Sequence, residues 1–357
     1  MKRLICFVSI LVCFSFVYTQ QNLFEPQKNA PLRGEKMVSD VKALTRVAHE
    51  SAEYLQKLPK SKYVTADAGL LAHHGVSLDQ VKETLEFIAD TGKKKPKLLA
   101  SPWFFNKHFE FYRWYGDKSK QTEYIPKGWK PAPEHIRTTQ YRITEIPGSE
   151  KKTRKYFYGL YELPRDEISL TFEQRKEQKN NLLRFAHSRS QILAGALKTN
   201  KKTKPLAWVT ENGRKEFAMQ GSALINFGKG NKKLLRVAGS NGMKKAEQYW
   251  YSTEVAKRPT SSVFPVKVKP RAGVTCAGDV KLLGFGKMIA LVGLNPQTQR
   301  EEIRLQVLVD TGSAFKGNLS KLDQFTGYFK DDAAFKAHTK MYSHTARAYI
   351  LIKKKTS

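Results

Sequence analysis

The stretch Asp310-Thr311-Gly312-Ser313-Ala314-Phe315-Lys316-Gly317 follows directly on Ile303, Leu305, Val307 and Val309, which alternate with the period of a strand. Gly312, Gly317 and the small residues near them, at a strand end, admit close approach by another backbone or a ligand. Asp323 comes thirteen residues after Asp310, with Leu322 before it and Phe325 after. A carboxyl in a partly apolar setting is desolvated, and its pKa rises. It can then give up a proton at neutral pH, which is general acid chemistry. The alternative for the same residue is a loop-capping aspartate that accepts backbone N–H groups.

Other chemistries lack support. His73 and His74 are adjacent, so they do not easily share one metal ion, and no closely spaced His/Cys set suits zinc. Gly284 and Gly286 form a Gly-x-Gly that reads as a turn between strands. Neither a phosphate-binding loop nor a Gly-x-Ser-x-Gly elbow occurs. No cofactor is expected.

The elements that must position the acid are of two kinds. Val38, Val41, Leu44, Val47, Leu55 and Leu58 space an amphipathic helix over residues 36–58. Ser77 and Gln80 make a capping box for a second helix to Asp90, with Val81, Leu85 and Ile88 as its stripe. Lys93 to Lys97 reads as a loop. The aromatic block from Trp103 to Tyr115 reads as core, with sugar stacking as the minority role. Residues 116–153, with Pro126, Pro131 and Pro133, read as a long surface insertion. Residues 165–200 look helical, with a capping box at Ser188 and Gln191. From Ala207 onward, short strand-like runs follow at 207–210, 216–227, 234–239, 287–294, 303–309 and 346–352. This pattern suggests barrels rather than an open parallel sheet.

The chain has 357 residues, enough for about two domains. Its 63 Lys and Arg against 32 Asp and Glu give +31, which attracts anionic partners. Lys2 and Arg3 precede an apolar run from Leu4 to Tyr18, the pattern of a secretory signal peptide. Export makes nucleic acid a poor partner. It also removes Cys6 and Cys13, which leaves Cys276 as the single thiol and no internal disulfide.

The segment Val309 to Gly327, with the closing run Ala346 to Ile352, resembles the C-terminal three-aspartate domain of the membrane-bound lytic transglycosylase A family. The third aspartate is then Asp279, in Ala277-Gly278-Asp279. Further pieces follow the family's order: Phe104-Phe105 with His108-Phe109; Gly159, Tyr161, Glu162 and Pro164; Ser188 to Ile192 with Gly195; Gln220-Gly221-Ser222 with Phe227-Gly228; Ala238-Gly239 with Asn241-Gly242; and Ser262-Val263-Phe264. Departures are Ser313 in place of a glycine, a longer spacer before Asp323, Tyr158, Leu160 and Leu163 in the tyrosine motif, and Leu283 to Gly286 in place of Pro-Leu-Gly.

The resemblance implies a mainly β protein with N-terminal helices. A double-psi β-barrel would carry a smaller inserted β domain, with a glycan strand in the groove between them. The organisation it implies is a signal peptide at 1–20, an N-terminal helical part and first barrel portion at 21–165, an inserted β domain at 166–268, and the three-aspartate barrel portion at 269–357. It further implies cleavage of the β-1,4 bond between N-acetylmuramic acid and N-acetylglucosamine with a 1,6-anhydromuramoyl product. The substrate's own C6 hydroxyl is the nucleophile, so one carboxyl suffices where ordinary glycosidases need two. Asp323 would serve as acid and then base. Asp310, with Asp279, Gly312, Lys316 and Gly317, would support it. Gly159, Tyr161, Gln220, Gly221, Ser222 and Asn241 would contact the glycan. The expected partner is peptidoglycan, with other anionic envelope polymers as further candidates and membrane attachment open. The expected place is the periplasm or the inner face of the outer membrane. Two other readings stay open: a peptidoglycan-binding protein without activity, and an exported structural protein held to anionic polymers by its lysines.

Overall fold

A computed structural model describes residues 23–57, 67–116, 134–255 and 268–355. The expected signal peptide, Cys6, Cys13 and Ser262-Val263-Phe264 lie outside these residues, as does 117–133 of the expected insertion. The chain divides into two compact units. One comprises residues 1–141, 268–327 and 338–357; the other comprises 142–267 and 328–337.

Strands are numbered in chain order. The first unit contains β1 (Phe24–Pro26), β2 (Lys36–Met37), β3 (Phe109–Trp114) and the start of β4 (Ile136–Ser149). It also contains β10 (Thr275–Ala277), β11 (Met288–Asn295), β12 (Arg300–Asp310), most of β13 (Lys321–Phe329), and β14 (Thr345–Lys353). Hydrogen bonds link them in the order β14-β11-β12-β10-β13-β4. One edge of β14 pairs with β11. The other edge pairs with β3 along Ala348–Lys353 and with β4 at Thr345 and Ala346. The β4–β14 pairing closes the six strands into a ring, so these strands expose few free edges.

Residues 288–292, 305–309 and 348–352 are buried without interruption, so β11, β12 and β14 are covered on both faces. Two helices pack against each other, the first also against β12 and the second against β14. The first, Val41–Gln56, starts later than its hydrophobic spacing suggests because Lys36 and Met37 pair with β12 and Asp40 caps it, accepting from the Ala43 N–H at 3.0 Å. The second, Leu78–Lys94, has the expected capping box: Gln80 N donates to Ser77 Oγ and Ser77 N to Gln80 Oε1. It runs through Lys93 and Lys94, and a 3-10 turn at Pro96–Ala100 follows, in place of the expected loop. Gly92 lies against Thr45, where a Cβ would clash, so the two helices approach closely there.

The aromatic block is core. Phe104, Phe105, Phe109, Phe111, Tyr112 and Trp114 are buried, while Trp103 is exposed under the Lys107 ammonium.

In the second unit the remainder of β4 pairs in parallel with β7 (Ser222–Gly228). An antiparallel β8 (Asn231–Ser240) and β9 (Trp250–Glu254) continue that sheet. β5 (Tyr158–Tyr161) and β6 (Pro205–Val209) form a second layer that joins β4 at Gly148 and Ser149. Tyr158, Leu160, Val209, Phe217, Ile225, Leu235, Tyr249 and Tyr251 fill the core.

Two expectations need correction here. Residues 136–149 are a strand, not surface insertion: Ile136, Thr138, Arg142, Ile143, Thr144 and Ile146 are buried, and strand pairing outweighs the polar composition. Residues 216–220 are helical, not extended. Thr210 caps the helix Glu211–Gln220 by accepting from Gly213 N, and Gly221, at φ +71°, ends it in the left-handed conformation. The strand begins only at Ser222.

Candidate active site

Three strand ends of the first unit converge. On β10, Ala277 is in register with Asp310 of β12 on one side and with Asp323 of β13 on the other. The β10–β12 ladder shifts register between Cys276 and Ala277, skipping Val309, and the two aspartates flank Ala277 on either side, two inter-strand steps or roughly 10 Å apart at Cα. Their charges also reach the neighbouring Cys276. Its thiol is pushed up first by burial and then by both aspartates, so it stays protonated and inert.

Asp323 is largely buried, with 19% of its side chain exposed. Burial raises its pKa above the usual carboxylate value, and the Lys321 ammonium, 3.2 Å away, and Arg137 oppose that rise. Desolvation is the largest effect, so the acid is held toward its protonated form. Lys321 also lies over the Phe315 ring, which fixes its stem beside the 310–317 loop.

Asp310 is held differently. Its Oδ2 accepts from the Tyr141 hydroxyl at 3.2 Å and its Oδ1 from Thr311 N at 2.9 Å, while its carbonyl accepts from Gly278 N. These contacts anchor the start of the loop that runs through Gly312 to Gly317.

Asp279 is buried and braces the loop's far end. One carboxylate oxygen accepts from Leu282 N at 3.1 Å, capping the short helix Val280–Leu283, and the other accepts from Gly317 N at 2.6 Å. Gly284 then turns the chain toward β11 at φ +79°. Gly312 and Lys316 are exposed.

The residues expected to contact glycan fall in the second unit and differ among themselves. Gln220 is exposed and Gly221 and Ser222 are half-buried at the helix-to-strand turn. The ring of Tyr161 is buried edge-on against Trp208 rather than presented to solvent. Gly159 gives its carbonyl to the Tyr249 hydroxyl, which also accepts from Tyr161 N. Asn241 is buried with its amide fully engaged. Its Nδ2 donates to the His187 and Glu247 carbonyls, and its Oδ1 accepts from Tyr249 N and Met243 N. The Asn241 amide is therefore spent on the unit's own hydrogen bonds, and the Tyr161 ring is packed into its core.

Sequence reasoning missed Tyr141, Lys321 and Arg137. Lys321 was within reach, since two residues apart on a strand means one face. Tyr141, 169 positions from Asp310, is brought there only by the β4–β13 neighbourhood. Among the described residues no group of three or more His, Cys, Asp or Glu side chains is placed to hold a metal ion, and no helix is long and apolar enough to cross a membrane.

Comparison with known proteins agrees with this architecture. Residues 137–246 match the model of the MltA specific insert domain. No curated protein matches by sequence. Among solved structures, a membrane-bound lytic murein transglycosylase from Agrobacterium tumefaciens superposes with a TM-score of 0.57 at 16% identity, over 88% of this chain and 93% of that one. MltA from Neisseria gonorrhoeae gives 0.54 at 15% identity, over 89% of each chain. Escherichia coli MltA with bound chitohexaose gives 0.52 at 16% identity, over 93% of this chain and 95% of that one. The resemblance read from the motifs is thus upheld: the chain has the MltA fold and carries the MltA specific insert domain at residues 137–246.

Proposed function

We propose that this protein is a peptidoglycan lytic transglycosylase. It cleaves the β-1,4 bond between N-acetylmuramic acid and N-acetylglucosamine and leaves a 1,6-anhydromuramoyl end. The observation that carries this reading is the environment of Asp323, a largely buried carboxyl whose pKa is raised by desolvation, set in one strand row with Asp310. In the first half of the reaction its proton goes to the departing O4 as the C1–O4 bond breaks. In the second, the C6 hydroxyl of the same muramoyl residue bonds to C1 and returns its proton to Asp323. Water is not consumed, so no second carboxylate is needed to activate it. Asp310 is committed to Tyr141 and to the Thr311 N–H and serves as the loop's anchor.

The six-stranded ring is read as the double-psi β-barrel of this family. The chitohexaose bound to the E. coli protein supports a glycan strand as the ligand. Export to the periplasm, or to the inner face of the outer membrane, completes the proposal and follows from the basic, then apolar, start of the chain. A second reading, a wall-binding protein without activity, draws on the inward commitment of Tyr161 and Asn241. Mass spectrometry of soluble products from sacculi treated with wild type and with Asp323→Asn separates the two. Anhydromuropeptides from wild type alone support the transglycosylase. Sacculi that bind both proteins and release nothing favour the binding protein, and reducing-end products would require a hydrolase.

A further inference from the structure

At the end of β12 remote from Asp310, a cavity of about 1200 Å³ lies between residues 27–36, the turn joining β11 to β12, and β14. The length of β12, Arg300 to Asp310, separates it from the aspartate row by roughly 30 Å at about 3.3 Å per residue. It is therefore a second site within the same unit.

The charges of this cavity are unevenly spent. Its carboxylates are already paired. Glu301 and Glu35 meet the Arg347 guanidinium at 2.8 and 3.4 Å, and Glu302 meets Arg304 at 2.8 Å and also accepts from Asn295. Arg347 is the one lining cation so paired; the exposed side chains of Arg33, Lys36 and Arg300 also line the cavity and have no ion-pair or hydrogen-bond partner among the described residues. Arg347 Nε is buried without a hydrogen-bond partner. Beside it Tyr349 is held rigid by Arg113, whose guanidinium lies 4.9 Å from the ring centre. The cavity thus offers several donors, hardly any free anionic acceptor, and one aromatic wall. It is larger than a single small molecule needs.

We propose that this cavity binds the carboxylate-bearing peptide stems of peptidoglycan, with Arg33 and Arg300 receiving their carboxylates. The choice of peptide over glycan follows from charge: carboxylates accept from guanidinium groups in paired, charge-assisted hydrogen bonds, which neutral hydroxyl and acetamido groups do not match. The identification of the peptide's source rests on the function proposed above; the preference for a carboxylate-bearing chain rests on the cavity alone.

The test is isothermal titration of the full chain with peptide stems freed from sacculi by an amidase, and with the same peptides after amidation of their carboxyls. Wild type and Asp323→Asn are expected to bind alike. Carboxyl amidation, or the double change Arg33→Gln with Arg300→Gln, is expected to weaken binding at least tenfold. Thermal melting of the double variant, unchanged from wild type, would show that the loss is local. The double variant is also expected to release anhydro products from peptide-free glycan at the wild-type rate. Failure of wild type to bind, equal binding of amidated peptides, or equal competition by inorganic phosphate would each overturn the proposal. If peptides bind as expected but no anhydro products form from any substrate, the function proposed above falls and the peptide site stands.

Discussion

Lys321 and Asp323 stand two residues apart on β13 and meet at 3.2 Å on one face, so the ammonium works directly against the effect of burial on the acid. Removing that cation should raise the pKa of Asp323 further. A general acid acts in its protonated form, so activity is lost as pH rises through that pKa. Lys321→Met is therefore expected to move the alkaline limb of the pH–activity profile to higher pH, with the rate below it retained. Asp323→Asn is expected to lower the rate by about 100-fold to 10⁴-fold at every pH. Rates of anhydromuropeptide release between pH 4 and 9 check both.

Asp279 is a structural aspartate, because both of its oxygens accept backbone N–H groups, from Leu282 and from Gly317. Asp279→Ala leaves those two donors without their acceptor. A loss of about 1–3 kcal/mol is expected in urea unfolding, with greater mobility of residues 312–317 by hydrogen exchange. An unchanged unfolding midpoint would contradict the bracing role.

Lys287 is fully buried with its Nζ unpaired among the described residues. Burial lowers its pKa from 10.5 to about 7, and Asp67 opposes this only in part. The unfolded chain binds a proton below about 10.5 and the folded chain only below about 7, so folding is disfavoured increasingly as pH falls through this window. Below about 7 the penalty is constant, and above 10.5 it vanishes. Lys287→Met should remove it. Stability at pH 7 should rise by several kcal/mol, on the order of 5 at most, and the dependence between pH 7 and 10.5 should flatten. Chemical unfolding at pH 7, 9 and 10.5 tests the sign.

In the second unit, Glu167 is buried. Burial raises its pKa, while Arg184, donating through Nε to both carboxylate oxygens at 2.8 and 2.9 Å, lowers it. Arg184 also donates to the Ser240 carbonyl, so it ties the 165–186 segment to the end of β8. Arg184→Leu strands the carboxylate and should cost about 3–5 kcal/mol, whereas Arg184→Leu with Glu167→Leu should recover most of it. Unfolding of the single and double variants measures the difference.

The elements whose residues carry their own periodic or capping signal were legible in the chain. The box at Ser77 and Gln80, the alternation from Ile303 to Val309 and the apolar run at 348–352 each emerge where expected, because local hydrogen bonds and a one-sided or two-sided burial pattern are written in neighbouring residues. The helix Glu211–Gln220 and the strand Ile136–Ser149 were not legible. The helix buries only Gly213 and Phe217, and the strand buries Thr138, Arg142 and Thr144 among its apolar residues, so neither shows a clean apolar period.

At the site, the residue types and their spacing named the available carboxyls, Asp279, Asp310 and Asp323, whereas the strand Lys321–Phe329 that puts Lys321 on the face of Asp323 emerged only in the fold. Only tertiary structure decided what each carboxyl does. Asp310 and Asp323 come into one row through Ala277, a residue of a third strand, and Tyr141 reaches Asp310 from a fourth. The same holds for Asn241, whose amide is consumed by His187, Glu247, Tyr249 and Met243, and for Tyr161, whose ring is buried against Trp208. A side chain's chemistry is local, but its solvation and its hydrogen-bond partners are set by residues distant in the chain, and those decide whether a carboxyl is an acid or a brace.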